Sequence, residues 1–152
     1  MVSLKNKSKG FTIVELLIVI VVIAILATLV IVTFTGIQQK ARDSQRQTDI
    51  NALNSHLAAY YASNGVYPTL ANLQDMTATT GWVAVNMKGL DPESLRDPKA
   101  AANATIAGTA AANAYGYAVT PSGCDNSATS CTGFTLTANL EGGGTFTKAS
   151  NT

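Results

Sequence analysis

Hydrophobic and polar positions fall into three successive patterns along the chain. Residues 11–34 (FTIVELLIVIVVIAILATLVIVTF) are apolar on every side, interrupted only by Thr12, Glu15, Thr28 and Thr33. Within them, residues 16–34 run for 19 positions without a charge, a glycine or a proline. At ~1.5 Å of rise per helical residue such a stretch matches a bilayer core. Twelve of the 19 are Val, Ile or Thr, types that favour strands. Length overrides that preference, because a lone strand in lipid would leave its backbone polar groups unpaired. The pattern predicts a membrane helix. A helix buried in a large soluble core is the competing reading, and this chain has no such core.

After Gly36, a tolerable interruption, the period changes. Residues 37–64 contain no Pro or Gly, so the helix can continue as an amphipathic half. Ile50, Leu53, Leu57 and Tyr60 or Tyr61 recur at helical spacing and mark one buried face. Lys40, Arg42, Asp43, Arg46 and Asp49 read as a solvated face, with inter-subunit pairs as the alternative. Asn64-Gly65 followed by Pro68 is a helix stop. His56 is the only histidine; mid-helix, with no Cys nearby, it reads as a polar-face residue and not as a ligand.

The third pattern is that of a small head. Residues 69–76 suit a short helix. Residues 82–85 suit a short strand or an ordered loop, with Trp82 plugging the core. Residues 89–114 hold Asp91-Pro92 and Asp97-Pro98 and then an Ala/Asn/Thr/Gly-rich tract, which reads as an exposed loop region. Residues 115–120, 133–140 and 145–149 alternate with the two-residue period of strands, and three glycines at 142–144 join the last two as a hairpin. The expected fold class is α+β: a long N-terminal helix packed against a small three-stranded antiparallel sheet.

Composition sharpens this picture. The chain of 152 residues is 47% hydrophobic and 12% charged with a net charge of +1. That excludes an ordinary disordered chain and, on composition, a strongly basic nucleic-acid binder. The first ten residues, MVSLKNKSKG, carry three lysines and end in Gly10. The apolar run after them is too long for a secretory signal peptide and is not closed by an A-x-A site. No GxxxxGK[ST], GxSxG or HExxH motif is present, so an anchored enzyme is the weakest of the function classes. No cofactor and no metal are expected.

The run KGFTIVELLIVIVVIAILA resembles the N-terminus of type IV pilins and of the related pseudopilins of type II secretion, and the likeness continues more loosely through residue 68. The resemblance implies a leader at 1–10, a transmembrane and filament-core half at 11–36, an amphipathic half at 37–64 and a globular head at 65–152. It implies cleavage between Gly10 and Phe11 by a prepilin peptidase, which then methylates the new amine of Phe11. Many relatives carry Gly and Pro in the later half of this helix and can lose regular structure there. Residues 24–32 (AILATLVIV) hold no such breaker, so a continuous helix is expected.

Glu15 is the sole ionisable group among residues 11–34. An acid within a membrane segment is costly and reads by default as functional. One reading has it reach the headgroups and favour the helix N-terminus. The resemblance implies another: in the filament it pairs with the positive amine of Phe11 on a neighbouring copy and fixes register. The six residues between Cys124 and Cys131 leave a disulfide, two free thiols or half of a zinc site open. With no His or further Cys nearby the zinc option is poor, and the resemblance implies a disulfide closing a surface loop outside the cytoplasm.

By this resemblance the chain is a pilus subunit serving surface adhesion, motility or DNA uptake. It starts in the bacterial inner or cytoplasmic membrane and ends in an extracellular filament. Its partners are copies of itself, the prepilin peptidase, and an assembly platform with separate ATPases. The alternatives are a type II secretion pseudopilin, or a minor or tip pilin that binds DNA or a host surface. Without the leader the side chains carry 7 basic and 9 acidic groups, so general attraction to phosphate is weak. Related pseudopilins often hold calcium in an acidic loop between late strands. Here that turn is only Glu141 and three glycines, and calcium is not expected.

Overall fold

A computed structural model describes residues 10–150. The expected leader lies outside the described residues except for Gly10. One helix, α1 (Ile13–Asn64), runs through 52 residues and contributes to two compact units, Met1–Gln38 and Gln39–Thr152.

In the first unit α1 is unbroken, as residues 24–32 led us to expect, and Gly36 does not interrupt it. Every large apolar side chain from Phe11 to Ile37 is at least 47% exposed. The segment is long and apolar enough to cross a membrane. Its threonines are made compatible with an apolar surround by folding back on the helix. Thr28 donates to the Ile25 carbonyl at 2.7 Å, Thr33 to Leu29 at 2.9 Å, and Thr35 to Val32 at 2.9 Å. Each hydroxyl so finds a local acceptor and needs no water.

In the second unit α1 lays down a stripe of Arg46, Ile50, Leu53 and Leu57, none more than 1% exposed. Their 4-3-4 spacing is one face of a helix. The helix ends at Gly65, whose φ of 73° lets its N–H bond the Tyr61 carbonyl at 2.7 Å, a left-handed stop that favours glycine. Next comes α2 (Leu70–Gln74), where Thr69 and Asn72 form a reciprocal capping box.

Residues 82–86 depart from expectation. They form a short helix, α3 (Trp82–Asn86), not a strand. Asp75 organises its start: its carboxylate takes the Trp82 N–H at 2.8 Å and its carbonyl takes the Val83 N–H at 3.2 Å. Trp82 does not plug the core. It is half-buried at the rim, its ring 5.1 Å from that of Tyr60.

The sheet is a meander in the order β1-β2-β3, from β1 (Gly116–Thr120), β2 (Gly133–Asn139) and β3 (Thr145–Ala149), antiparallel throughout. The expected hairpin joins β2 to β3, closed by the Leu140 N–H on the Gly144 carbonyl at 3.0 Å. Tyr117, Phe134, Leu136 and Ala138 face inward with the period of two and join the core of Ile50, Leu53 and Leu57. Gly116 is fixed by crowding, since a Cβ there would collide with the Ala110 backbone. Tyr117 keeps its buried hydroxyl satisfied on the Pro68 carbonyl at 2.7 Å.

The region 89–114 is not a uniformly exposed loop. It contains a 3-10 turn (Pro92–Leu95), and Leu90, Leu95, Asp97 and Ile106 are buried. Leu90, Leu95 and Ile106 join the apolar core, and Asp97 is drawn inward by a guanidinium described below.

Cys124 and Cys131 form a disulfide with Cα atoms 5.2 Å apart. Asn126 ties the same loop down independently. Its amide donates to the Tyr67 carbonyl at 2.7 Å and its oxygen accepts the Cys131 N–H at 2.7 Å. Two outcomes are expected. Leu53→Ala should lower unfolding free energy by about 2–5 kcal/mol, read by denaturation of the full chain in detergent. Reduction should raise amide exchange within residues 124–131 while leaving β1–β3 protected, with a larger rise in Asn126→Ala.

Candidate functional site

The N-terminal segment is built on the first turn of α1. Gly10, Phe11 and Thr12 precede the helix as exposed, non-helical backbone, and Phe11 is 75% exposed. Glu15 is not without a partner. Its Oε2 accepts both the Thr12 N–H and the Thr12 hydroxyl at 2.8 Å, and the Glu15 N–H returns to the Thr12 hydroxyl at 3.3 Å. This is a capping box, in which the residue before the helix and the third residue inside it satisfy each other's backbone. The T-x-x-E spacing announces it, and Thr12 is a residue that reading Glu15 alone misses. The cap supports the first reading of Glu15, at a helix start, and leaves the pairing with Phe11 of another copy as an expectation.

In the second unit, the polar end of the buried stripe overturns the reading of a solvated face. Arg46 is 1% exposed. Its guanidinium grips Asp97 with two hydrogen bonds of 2.6 and 2.9 Å, and its third nitrogen reaches Asp43 at 2.8 Å and Glu141 at 2.9 Å. Arg42 adds a second two-pronged pair to Glu141, both bonds at 2.6 Å, and Lys99 approaches the same carboxylate at 3.3 Å. Asp43 also takes the N–H groups of Glu141 and Gly142 at 2.8 and 2.9 Å. A side chain at 142 would press on it, the added Cβ lying 3.3 Å from Oδ2. Lys40 is exposed, as expected. Asp49 accepts the Tyr115 hydroxyl at 2.7 Å. The signal for Arg46 was present in the sequence: it stands four residues before Ile50 on the apolar stripe.

The electrostatics follow the geometry. Asp97 pushes the Arg46 guanidinium further up, against burial, with Glu141 and Asp43 adding to it. Arg42 holds Glu141 well below the usual carboxylate range, helped by Arg46 and Lys99 against partial burial. Burial raises Asp43, but the two backbone N–H groups and Arg46 together bring it below its ordinary value. Asp49 goes the other way: burial pushes it up more than the Tyr115 bond brings it down. Among the described residues no group of three or more His, Cys, Asp or Glu side chains is placed to hold a metal ion.

Residues 5–31 match the prokaryotic N-terminal methylation motif. The chain is 41% identical over 64 residues to type II secretion system core protein G of Vibrio cholerae, covering 42% of this chain and 44% of that protein. The core protein G of Escherichia coli gives the same identity and coverage. The type IV major pilin protein PilA of Myxococcus xanthus is 32% identical over 66 residues, 43% of this chain and 30% of that protein. The matched stretch spans less than half the length of these relatives. No solved structure matches. The N-terminal part of the chain is thus similar to type IV pilins and to the related pseudopilins of type II secretion.

The Arg46 network yields two expectations. Arg46→Met strands the buried Asp97 and should cost about 3–5 kcal/mol, with part recovered in Arg46→Met/Asp97→Asn; equal loss in both would remove the pair from the explanation. Asp43 and Glu141 have lowered folded-state pKa values, so their stabilisation is fully present above the ordinary 3.8 and 4.5. It is lost as pH falls through the lower folded values. The unfolding midpoint should therefore drop on acidification below about pH 4, and drop less in Glu141→Gln. Asp49, raised by burial, opposes this trend.

Proposed function

We propose that the chain is a structural subunit of a type IV pilus, built as a helical filament of its own copies. One observation carries this reading: from Phe11 to Ile37 the large apolar side chains are at least 47% exposed, while the second unit already buries a complete core. A surface of that kind needs cover, from lipid while the subunit is stored and from copies of its own helix after assembly.

Residues 1–10 act as the leader, cut after Gly10. The exposed, non-helical backbone at residues 10–12 is the kind of segment a peptidase can engage. Phe11 becomes the methylated N-terminus. Glu15 pairs with the Phe11 amine of the next copy and sets axial register, as a single buried polar group does in a coiled coil. Residues 11–36 form the filament core, 37–64 join it to the head, and 65–152 coat the outside. The partners are the prepilin peptidase, an assembly platform and separate ATPases. The subunit passes from the cytoplasmic membrane to the cell surface, where adhesion, motility or DNA uptake follow.

The second reading is a type II secretion pseudopilin, favoured by the 41% identity to core protein G. Against it, the turn carboxylate Glu141 is committed to Arg42, Arg46 and Lys99 and is not free for a cation.

Electron microscopy of filaments sheared from the cell surface, with the mass of their subunit, tests the proposal. A subunit starting at methylated Phe11 is the expected result. Loss of exoprotein secretion on deletion, with no surface filament made of this chain, would move the assignment to the pseudopilin. Glu15→Val should leave insertion and cleavage intact and lower filament yield at least tenfold; normal yield would remove Glu15 from the register argument.

A further inference from the structure

We propose that Asn103 is a modification site, carrying an N-linked glycan in the exported protein. Residues 103–105 read Asn-Ala-Thr, the N-x-[ST] triplet that marks an acceptor amide on a surface loop. The same pattern at residues 6–8 falls in the leader. What distinguishes the triplet at 103–105 is where it sits and what its side chains do.

Asn103 lies in an exposed turn. The Ala104 N–H bonds the Ala101 carbonyl at 2.8 Å, which places Asn103 at the third position of the turn with its side chain in solvent. Its neighbours Ala101, Ala102 and Ala104 present only methyl groups, leaving room for a bulky adduct. No hydrogen bond engages the side chain of Asn103 or Thr105 among the described residues.

Four other asparagines of the same unit have structural duties. Asn64 donates to the Tyr60 carbonyl, Asn72 closes the α2 capping box, Asn86 donates to Trp82, and Asn126 clamps the disulfide loop to Tyr67. An amide that does no folding work, on a turn, inside a complete triplet, is what a glycosyltransferase can use without disturbing the fold.

The chemistry balances with a lipid-linked glycosyl diphosphate as donor. The Asn103 Nδ2 attacks the anomeric carbon. A C–N bond forms as the C–O bond to the diphosphate breaks, the lipid-linked diphosphate leaves with the electron pair, and it takes up the one proton that the amide gives up. Thr105 supplies the hydroxyl of the triplet. The inference rests on the reading that the head stands outside the cytoplasm, where the finished glycan would cover an uncharged, alanine-rich loop with a hydrated surface.

The test is peptide mass spectrometry of the full-length subunit from its native host, reading the peptide with Asn103 and the N-terminus in one sample. The expected result is a mass excess of whole sugar residues localised to Asn103. It should be lost in Asn103→Gln and Thr105→Val and kept in Thr105→Ser. A bare Asn103 peptide from the native subunit, or an excess that survives Asn103→Gln, overturns the proposal. The N-terminal mass reports separately on the filament reading. A start at methylated Phe11 with a bare Asn103 defeats glycosylation alone, whereas a start elsewhere defeats the filament reading whatever Asn103 carries.

Discussion

The guanidinium of Arg46, held out of water between three carboxylates, is the interaction on which the second unit depends. Burying a charge is expensive, and attraction in a low dielectric repays it only when geometry is good and every donor is used. Here Nε and Nη2 take Asp97 and Nη1 serves Asp43 and Glu141. Three segments of the chain thereby meet at one guanidinium. They are the helix itself, the stretch around Asp97 after the 3-10 turn, and the β2–β3 hairpin through Glu141. The exposed Arg96–Glu93 pair at 3.1 Å, with Glu93 69% exposed, shows the contrast: a pair of that kind is worth about 0–1 kcal/mol and positions nothing. Because well-packed apolar groups could replace a buried ion network at similar stability, its value here lies in register. It fixes where the hairpin meets the helix, which apolar contacts alone leave free to slide.

That fastening explains why a short sheet suffices. The three strands are five, seven and five residues long, and only β2 offers a full inward row. Apolar packing comes from Leu136, Ala138 and Phe134 on one side and from Ile50, Leu53 and Leu57 on the other. The polar clasp sits at the Arg46 end of that stripe, and the disulfide loop with its Asn126 clamp sits at the end near Tyr67. The core is thus closed at both ends by directional contacts, and its middle is closed by non-directional ones.

The parts legible in the sequence were those with a regular period. The apolar run, the Ile50-Leu53-Leu57 stripe and the three alternating strands emerged with nearly their observed bounds, because burial on one face imposes a period of 3.6 or 2. What escaped lacked a period. Residues 82–86 are helical because Asp75 supplies acceptors to their first N–H groups, a contact across seven residues that no local propensity reports. The segment 89–114 reads as a loop by composition, yet Asp97 is buried because of Arg46, 51 residues earlier. Arg46 reads as solvent-facing from sequence because charged residues on a helix usually face water. The T-x-x-E cap at Thr12 and Glu15 has a sequence signature of its own, separate from the rarity of an acid in an apolar run.

The first unit poses a different energetic problem. In water its apolar face would drive association by burial, but lipid tails are as apolar as leucine, so moving the helix from a bilayer into a bundle of its copies gains little hydrophobic free energy. What changes in that transfer is packing and the handling of polar groups. Thr28, Thr33 and Thr35 carry their own acceptors and are indifferent to the move. Glu15 is different: its cap on Thr12 satisfies one oxygen but neutralises no charge, whereas an ammonium from a neighbouring copy would do both. The one ionisable group of the segment is therefore the group whose free energy differs most between the two surroundings. In the proposed filament, Glu15 is accordingly the group on which axial register would turn, with the apolar side chains following.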